Sequence, residues 1–170
     1  MKYVILGFCV VAAACGSSAP GAPTPLATSS SAEGVREAKG GTDLPFRGTL
    51  EATETIENPP IHVLNGSGTA THLGRFTIES VFTVLAPPQS TASGKATWTA
   101  ANGDQIFTTT TGRAIITFPV AAIGETHTIT GGTGRFAQAS GTIMVERSLN
   151  LQTLVSSASL TGTISLGHGQ

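Results

Sequence analysis

Thr71-His72-Leu73-Gly74-Arg75-Phe76, Ala101-Asn102-Gly103-Asp104 and Ile129-Thr130-Gly131-Gly132-Thr133-Gly134-Arg135-Phe136 are three glycine-marked punctuation points in a chain of 170 residues. Between them run short stretches rich in Thr, Val and Ile, bounded by Gly, Asn and Pro, which is the signature of strands joined by tight turns. No window carries a helical repeat longer than two turns. The pattern therefore specifies an antiparallel sheet, closed or nearly closed on itself, and gives the glycines to turns.

Working outward, strands are expected at about 46–56, 61–66, 72–85, 94–101, 104–110, 114–118 with 125–130 continuing the sheet, 141–150 and 155–166. Asn102-Gly103 suits a two-residue type I′ turn, whose central residues both need positive φ. That turn sets Thr99 against Ile106 and Trp98 against Phe107, an aromatic pair facing inward. The 14-residue run from His72 to Leu85 is expected to bend at Gly74 or Ser80, as strands that coil into a barrel do. Gly48-Thr49-Leu50, Gly141-Thr142-Ile143 and Gly162-Thr163-Ile164 place glycine inside strands, the mark of a bulge, a bend or a close backbone approach.

Side-chain parity supports one apolar interior. Phe46, Leu50, Ala52 and Ile56 share a face of the first strand, and Phe76, Ile78, Phe82 and Val84 share one of the third. Leu154, Ala158, Leu160, Ile164 and Leu166 do so in the last, with Thr161, Thr163 and Ser165 opposite. A dry inside and a Thr-rich outside is what a small barrel requires.

With these residues the chain resembles the allene oxide cyclase-like barrel proteins of bacteria, distant relatives of the plant dirigent proteins. The resemblance covers roughly residues 46–168 and is most specific at Thr130-Gly131-Gly132-Thr133-Gly134-Arg135-Phe136. It implies an all-β fold, an eight-stranded antiparallel barrel of allene oxide cyclase-like type, with a cavity. Relatives of this kind associate as dimers or trimers, so an oligomer is possible. The plant catalytic residues map onto no motif here, and no catalytic role is carried over.

The first residues give an address. Lys2 precedes an apolar run from Val4 to Ala14, which reads as a secretory signal and is too short to span a bilayer. Ala12-Ala13-Ala14-Cys15-Gly16 resembles a bacterial lipobox, with Ala12 where such motifs usually carry Leu. The expected organisation is a lipoprotein signal peptide at 1–14, a lipidated Cys15 and flexible linker at 15–42, and a barrel domain at 43–170. Release as a secreted soluble protein is the alternative. Cys9 lies inside the leader, so the mature domain has no cysteine pair and must rely on its own core. A linker of Ser, Ala, Pro, Gly and Thr that long reaches about 30 Å root-mean-square.

Composition narrows the function classes. A formal net charge of −1 and 11% charged residues leave no basic patch, which argues against nucleic acid as a partner. Hydrophobic residues reach 39%, unlike a disordered chain. Gly131-Gly132-Thr133-Gly134 is followed by Arg135-Phe136-Ala137, not by the helix and Lys-Ser/Thr that a phosphate loop needs, so it reads as a turn. Arg75 and Arg135, in matching Gly-Arg-Phe contexts, read as turn-bracing residues. His62, His72, His127 and His168 form no spacing that signals a metal, and no metal or other cofactor is expected. There is no Gly-X-Ser-X-Gly elbow, and no Cys survives processing to act as a nucleophile.

Two polar residues stand in apolar company. Glu54 is in phase with Leu50, Ala52 and Ile56, and Arg147 with Ile143, Val145 and Leu149. Inside a cavity they would orient a ligand or act as acid and base; otherwise they line the barrel mouth or pair with each other. Phe76, Trp98 and Phe107 complete the set of cavity candidates.

The expected function is an envelope lipoprotein, anchored to the membrane through Cys15. Its barrel, read as non-enzymatic, binds a small apolar ligand or a partner. The alternatives are an isomerase or cyclase acting on an apolar substrate in the cavity, as the plant relatives imply, and a structural envelope protein with a filled barrel.

Overall fold

The computed structural model describes residues 43–167. The leader, Cys15, the linker and His168 lie outside the described residues. Eight strands form the barrel: β1 (Asp43–Asn58), β2 (Ile61–Ala70), β3 (Gly74–Leu85), β4 (Thr91–Ala100), β5 (Gln105–Thr117), β6 (Val120–Gly132), β7 (Ser140–Asn150) and β8 (Val155–Ser165). Each pairs antiparallel with its neighbour in sequence, and β1 pairs with β8 to close the ring. Closure leaves no sheet edge for another chain to pair with.

Inward positions are mostly apolar and outward ones mostly Thr, Ser and charged residues, the reverse of a barrel whose outer face meets lipid. The interior is built by setting small residues beside large ones. A Cβ added to Gly68 would lie 2.9 Å from the Phe76 ring, and one added to Gly66 would lie 2.8 Å from Leu50 Cδ1. Inward glycines on β2 thus make room for side chains on β1 and β3. Phe46, Phe76, Ile78, Trp98, Ile106, Ile143, Leu160 and Ile164 fill this part of the barrel.

One end is sealed. Thr133 turns the chain into a single 3₁₀ turn, Gly134–Phe136, which drops Phe136 fully buried onto the core beside Leu73 and Ala139. The glycines before it have separate reasons: a Cβ on Gly132 would sit 2.0 Å from the Gln105 carbonyl oxygen, and Gly131 has φ +136°. Arg135 braces this turn, with Nε 3.6 Å from Asp104 and its guanidinium 4.8 Å above the Phe136 ring. The glycine-rich segment is a plug.

Three expectations need correction. The Asn102-Gly103 turn is not type I′. Gly103 N–H donates to Ala100 O (2.9 Å), Ala100 pairs with Asp104, and among the turn residues only Gly103 has positive φ, at +88°. Asn102 Oδ1 instead accepts from Asp104 N–H (3.2 Å), a local bond that holds a three-residue loop. The register moves by one residue: Trp98 faces Ile106, and Thr97 faces Phe107. Phe107 is therefore on the outer wall, 37% exposed, and is no cavity residue. Second, β5 runs unbroken through Gly112 to Thr117 and β6 starts at Val120, so residues 114–117 belong to β5 and lead into a hairpin turn at Phe118-Pro119. Third, Gly74, with φ +69°, lies at the β2–β3 turn and starts β3, so the long third strand is shorter than expected.

Candidate functional site

The opposite end is open. There the β1–β2, β3–β4, β5–β6 and β7–β8 turns surround a cavity of about 280 Å³, near the lower end of the range for small-molecule sites, about 300 Å³. Its walls are apolar, with Phe82, Val84, Ala121, Ile123 and Leu149 among them. Four polar groups converge on the floor, Glu54 from β1, His62 from β2, Glu125 from β6 and Arg147 from β7, while Ser90, Thr91 and Arg113 line the cavity near the mouth. Alternation places them there, since each shares its inward face with apolar neighbours on its own strand.

Arg147 is 4% exposed and holds the floor together. Its Nη1 donates to Glu54 Oε2 and its Nη2 to Glu125 Oε1, both at 2.8 Å. Glu54 Oε1 meets His62 Nδ1 at 2.5 Å. Glu125 Oε2 lies 3.5 Å from His127 Nε2, while His127 Nδ1 is 3.2 Å from Thr108 Oγ1 and 3.1 Å from Thr110 Oγ1. With Nε2 carrying the proton toward Glu125, Nδ1 accepts from a threonine hydroxyl. Trp98 Nε1 donates to Thr108 Oγ1 (3.3 Å), and its ring stands edge-on to His127 at 5.2 Å. A continuous polar chain thus crosses the barrel from His62 to Trp98.

Its electrostatics follow from burial and pairing. Burial by itself raises the Glu125 carboxyl, but the His127 hydrogen bond and the Arg147 charge outweigh it and hold the carboxyl below its ordinary value. Burial likewise opposes the Arg147 charge, and the Glu125 carboxylate, followed by Glu54, more than restores it. Arg147 Nε–H is the single buried side-chain polar atom among the described residues without a hydrogen-bond partner. Each carboxylate oxygen has one protein neighbour and a further lone pair for another donor.

Glu54 and Arg147 are therefore brought together as a direct pair, on the floor of the cavity. Phe76 and Trp98 are buried but belong to the packed part of the barrel below it, with ring centroids 5.2 Å apart. His72 lies at the sealed end, its Nε2 3.1 Å from Pro45 O, far along the barrel from His127. Glu125, His127 and His62 were not singled out from the sequence as cavity residues. Glu125 and His127 share parity with Ala121, Ile123 and Ile129, a signal that appears once β6 is known to start at Val120. His62 is in phase with Leu64, but Gly66 and Gly68 continue that face, so one apolar residue is its only mark; it meets Glu54 through cross-strand geometry, with Leu64 directly opposite Glu54.

No protein-family model and no curated protein matches this chain. Solved structures do. The pterocarpan synthase dirigent protein GePTS1 superposes with a TM-score of 0.57 at 13% identity, covering 74% of this chain and 89% of that one. The pterocarpan synthase dirigent protein PsPTS1 gives 0.53 at 11% identity, covering 75% and 97%. The fold is that of the dirigent barrels. At such identities the likeness carries the architecture, an all-β closed barrel of allene oxide cyclase-like type, and leaves function to this chain's own residues.

Proposed function

We propose that this chain is an envelope-anchored binding protein, tethered through a lipid on Cys15, whose barrel holds one small apolar molecule with a polar group turned to the floor. The observation that carries this reading is the cavity itself: apolar walls, one open end, and polar groups gathered at the bottom. That is the usual composition of a small-molecule site. The floor is built for holding. Glu54 and Glu125 are both tied to one guanidinium, and the Glu125 carboxyl, held below its ordinary value, makes a poor proton donor near neutral pH.

An environment-sensitive apolar dye tests it. The protein is expected to bind about one dye per chain, and Ile123→Trp, which fills the cavity wall, to abolish that binding without unfolding the barrel. Unchanged dye binding by a folded Ile123→Trp protein would contradict the reading.

A second reading, an isomerase or cyclase, rests on the His62–Glu54 contact. This pair reaches the cavity and His62 is part-buried at 16% side-chain exposure, so it has both a proton-carrying ring and solvent access. The structural reading requires a filled barrel, and that describes only the sealed half.

A further inference from the structure

The two ends of the barrel differ in chemistry. The sealed end and its approaches carry Asp43, Arg47, Arg75, Asp104 and Arg135. At the open end six large apolar side chains are exposed, Ile56, Ile61, Leu85, Ile115, Ile116 and Phe118, of which Ile115 is 73% and Phe118 71% exposed, among uncharged polar ones such as Asn58, Gln89 and Gln152. Ile56, Leu85 and Ile116 also line the cavity, so the collar and the interior form one apolar surface. The charges beside it are few and opposite in sign, Glu57 on the end of β1 and Arg113 on the cavity wall.

We infer that this collar docks onto the surface of a neutral lipid bilayer, mouth first, with the β5–β6 tip as the inserting element. β4 begins opposite Arg113 and Ala114 N–H still donates to Ser90 O (2.8 Å), so Ile115–Thr117 continue past it, paired on one side by β6, and carry Phe118 outward. A projecting tip suits a fluid surface better than it suits a flat seat on a second copy. Contiguous exposed apolar surface of this kind marks an interaction site, and side chains of this type settle about 5–10 Å into the headgroup boundary. The nearly uncharged rim fits zwitterionic headgroups and predicts little dependence on salt.

The chain outside the described residues permits this pose. It joins the barrel at Asp43, on the sealed end, and β1 carries the fold from there to the mouth over 16 residues, about 50 Å. Residues 15–42 extend to about 90 Å at full stretch, enough for a barrel anchored at Cys15 to turn its mouth to the same membrane. The inference rests on the apolar-ligand reading, since an apolar molecule is held in lipid and would pass from bilayer to cavity without crossing water.

The test uses the full chain with Cys15→Ala and a reporter tryptophan at Phe118→Trp, mixed with phosphatidylcholine vesicles whose acyl chains are brominated. Trp98 is fully buried and serves as the constant background. The Phe118→Trp emission is expected to shift to the blue and be quenched, while a Met144→Trp reporter on the outer wall is not. Adding Ile115→Asp and Ile116→Asp should raise the lipid needed for half-quenching about tenfold or more. Equal quenching at both reporters, or none at Phe118→Trp, would overturn the inference, and so would mouth-to-mouth dimers found by sedimentation in place of quenching. An occupied cavity with an unquenched reporter removes the docking alone; an empty cavity with a quenched reporter removes the ligand alone.

Discussion

Arg147 is the residue on which the site depends. It compensates two buried carboxylates, and removing one partner from such a group leaves charge buried without a counterion. Arg147→Met is expected to destabilise the barrel by about 3–5 kcal/mol in urea unfolding. Replacing all three at once, with Glu54→Gln, Glu125→Gln and Arg147→Met, should cost far less, because no net charge stays buried. The pH dependence has a definite sign. The Glu125 carboxyl is lower in the folded state than its unfolded value, about 4.3. Its contribution is fully present above that pH and is lost as pH falls through the folded value. Glu125→Gln should therefore flatten the acid limb of a stability profile measured from pH 7 downward; an unchanged acid limb would show that the Arg147 and His127 contacts do not hold. At this scale parity alone found Glu54 and Arg147, because each is a charge in an apolar file. It missed His62, whose partner is set by the geometry between strands.

Among the elements, the hairpin and the plug carry the sharpest expectations. Gly103 has open space around it, so Gly103→Ala tests φ alone and should cost about 1 kcal/mol. A type I′ turn would need left-handed backbone at Asn102 as well; in the observed loop Asn102→Ala loses two local hydrogen bonds to Asp104, one to its N–H and one to its carboxylate, and no φ preference. Thermal melts of the two variants separate these cases. Phe136→Ala removes a fully buried ring from the sealed end and should cost about 3–5 kcal/mol. Asn-Gly was legible as a turn, but its type was not. Two- and three-residue loops use the same residues, and what decides here is the Asn102–Asp104 bond together with the inward demand of Trp98 and Ile106. The β5–β6 hairpin was hidden for a related reason: Phe118-Pro119 carries no glycine, and Gly112 lies inside a strand.

For the whole molecule, eight strands and closure were readable because alternation, turn spacing and long Thr/Ile/Val runs agree with one another. The cavity was not. Whether a barrel is hollow depends on summed side-chain volumes at each level, and here the level of Phe76 and Trp98 is filled while that of Glu54 and Arg147 is open. The proposed anchor belongs to this scale too: Cys15→Ala should move the protein from the membrane fraction to the soluble fraction of its host, and retention in the membrane fraction would count against a lipid at that residue. The central claim, that the open half of the barrel holds a small molecule, is tested most directly by native mass spectrometry of the full-length protein taken gently from the cell that makes it. The expected result is a reproducible extra mass that is lost on denaturation and absent from the Ile123→Trp variant; a wild-type barrel carrying nothing beyond its own processed mass would contradict it.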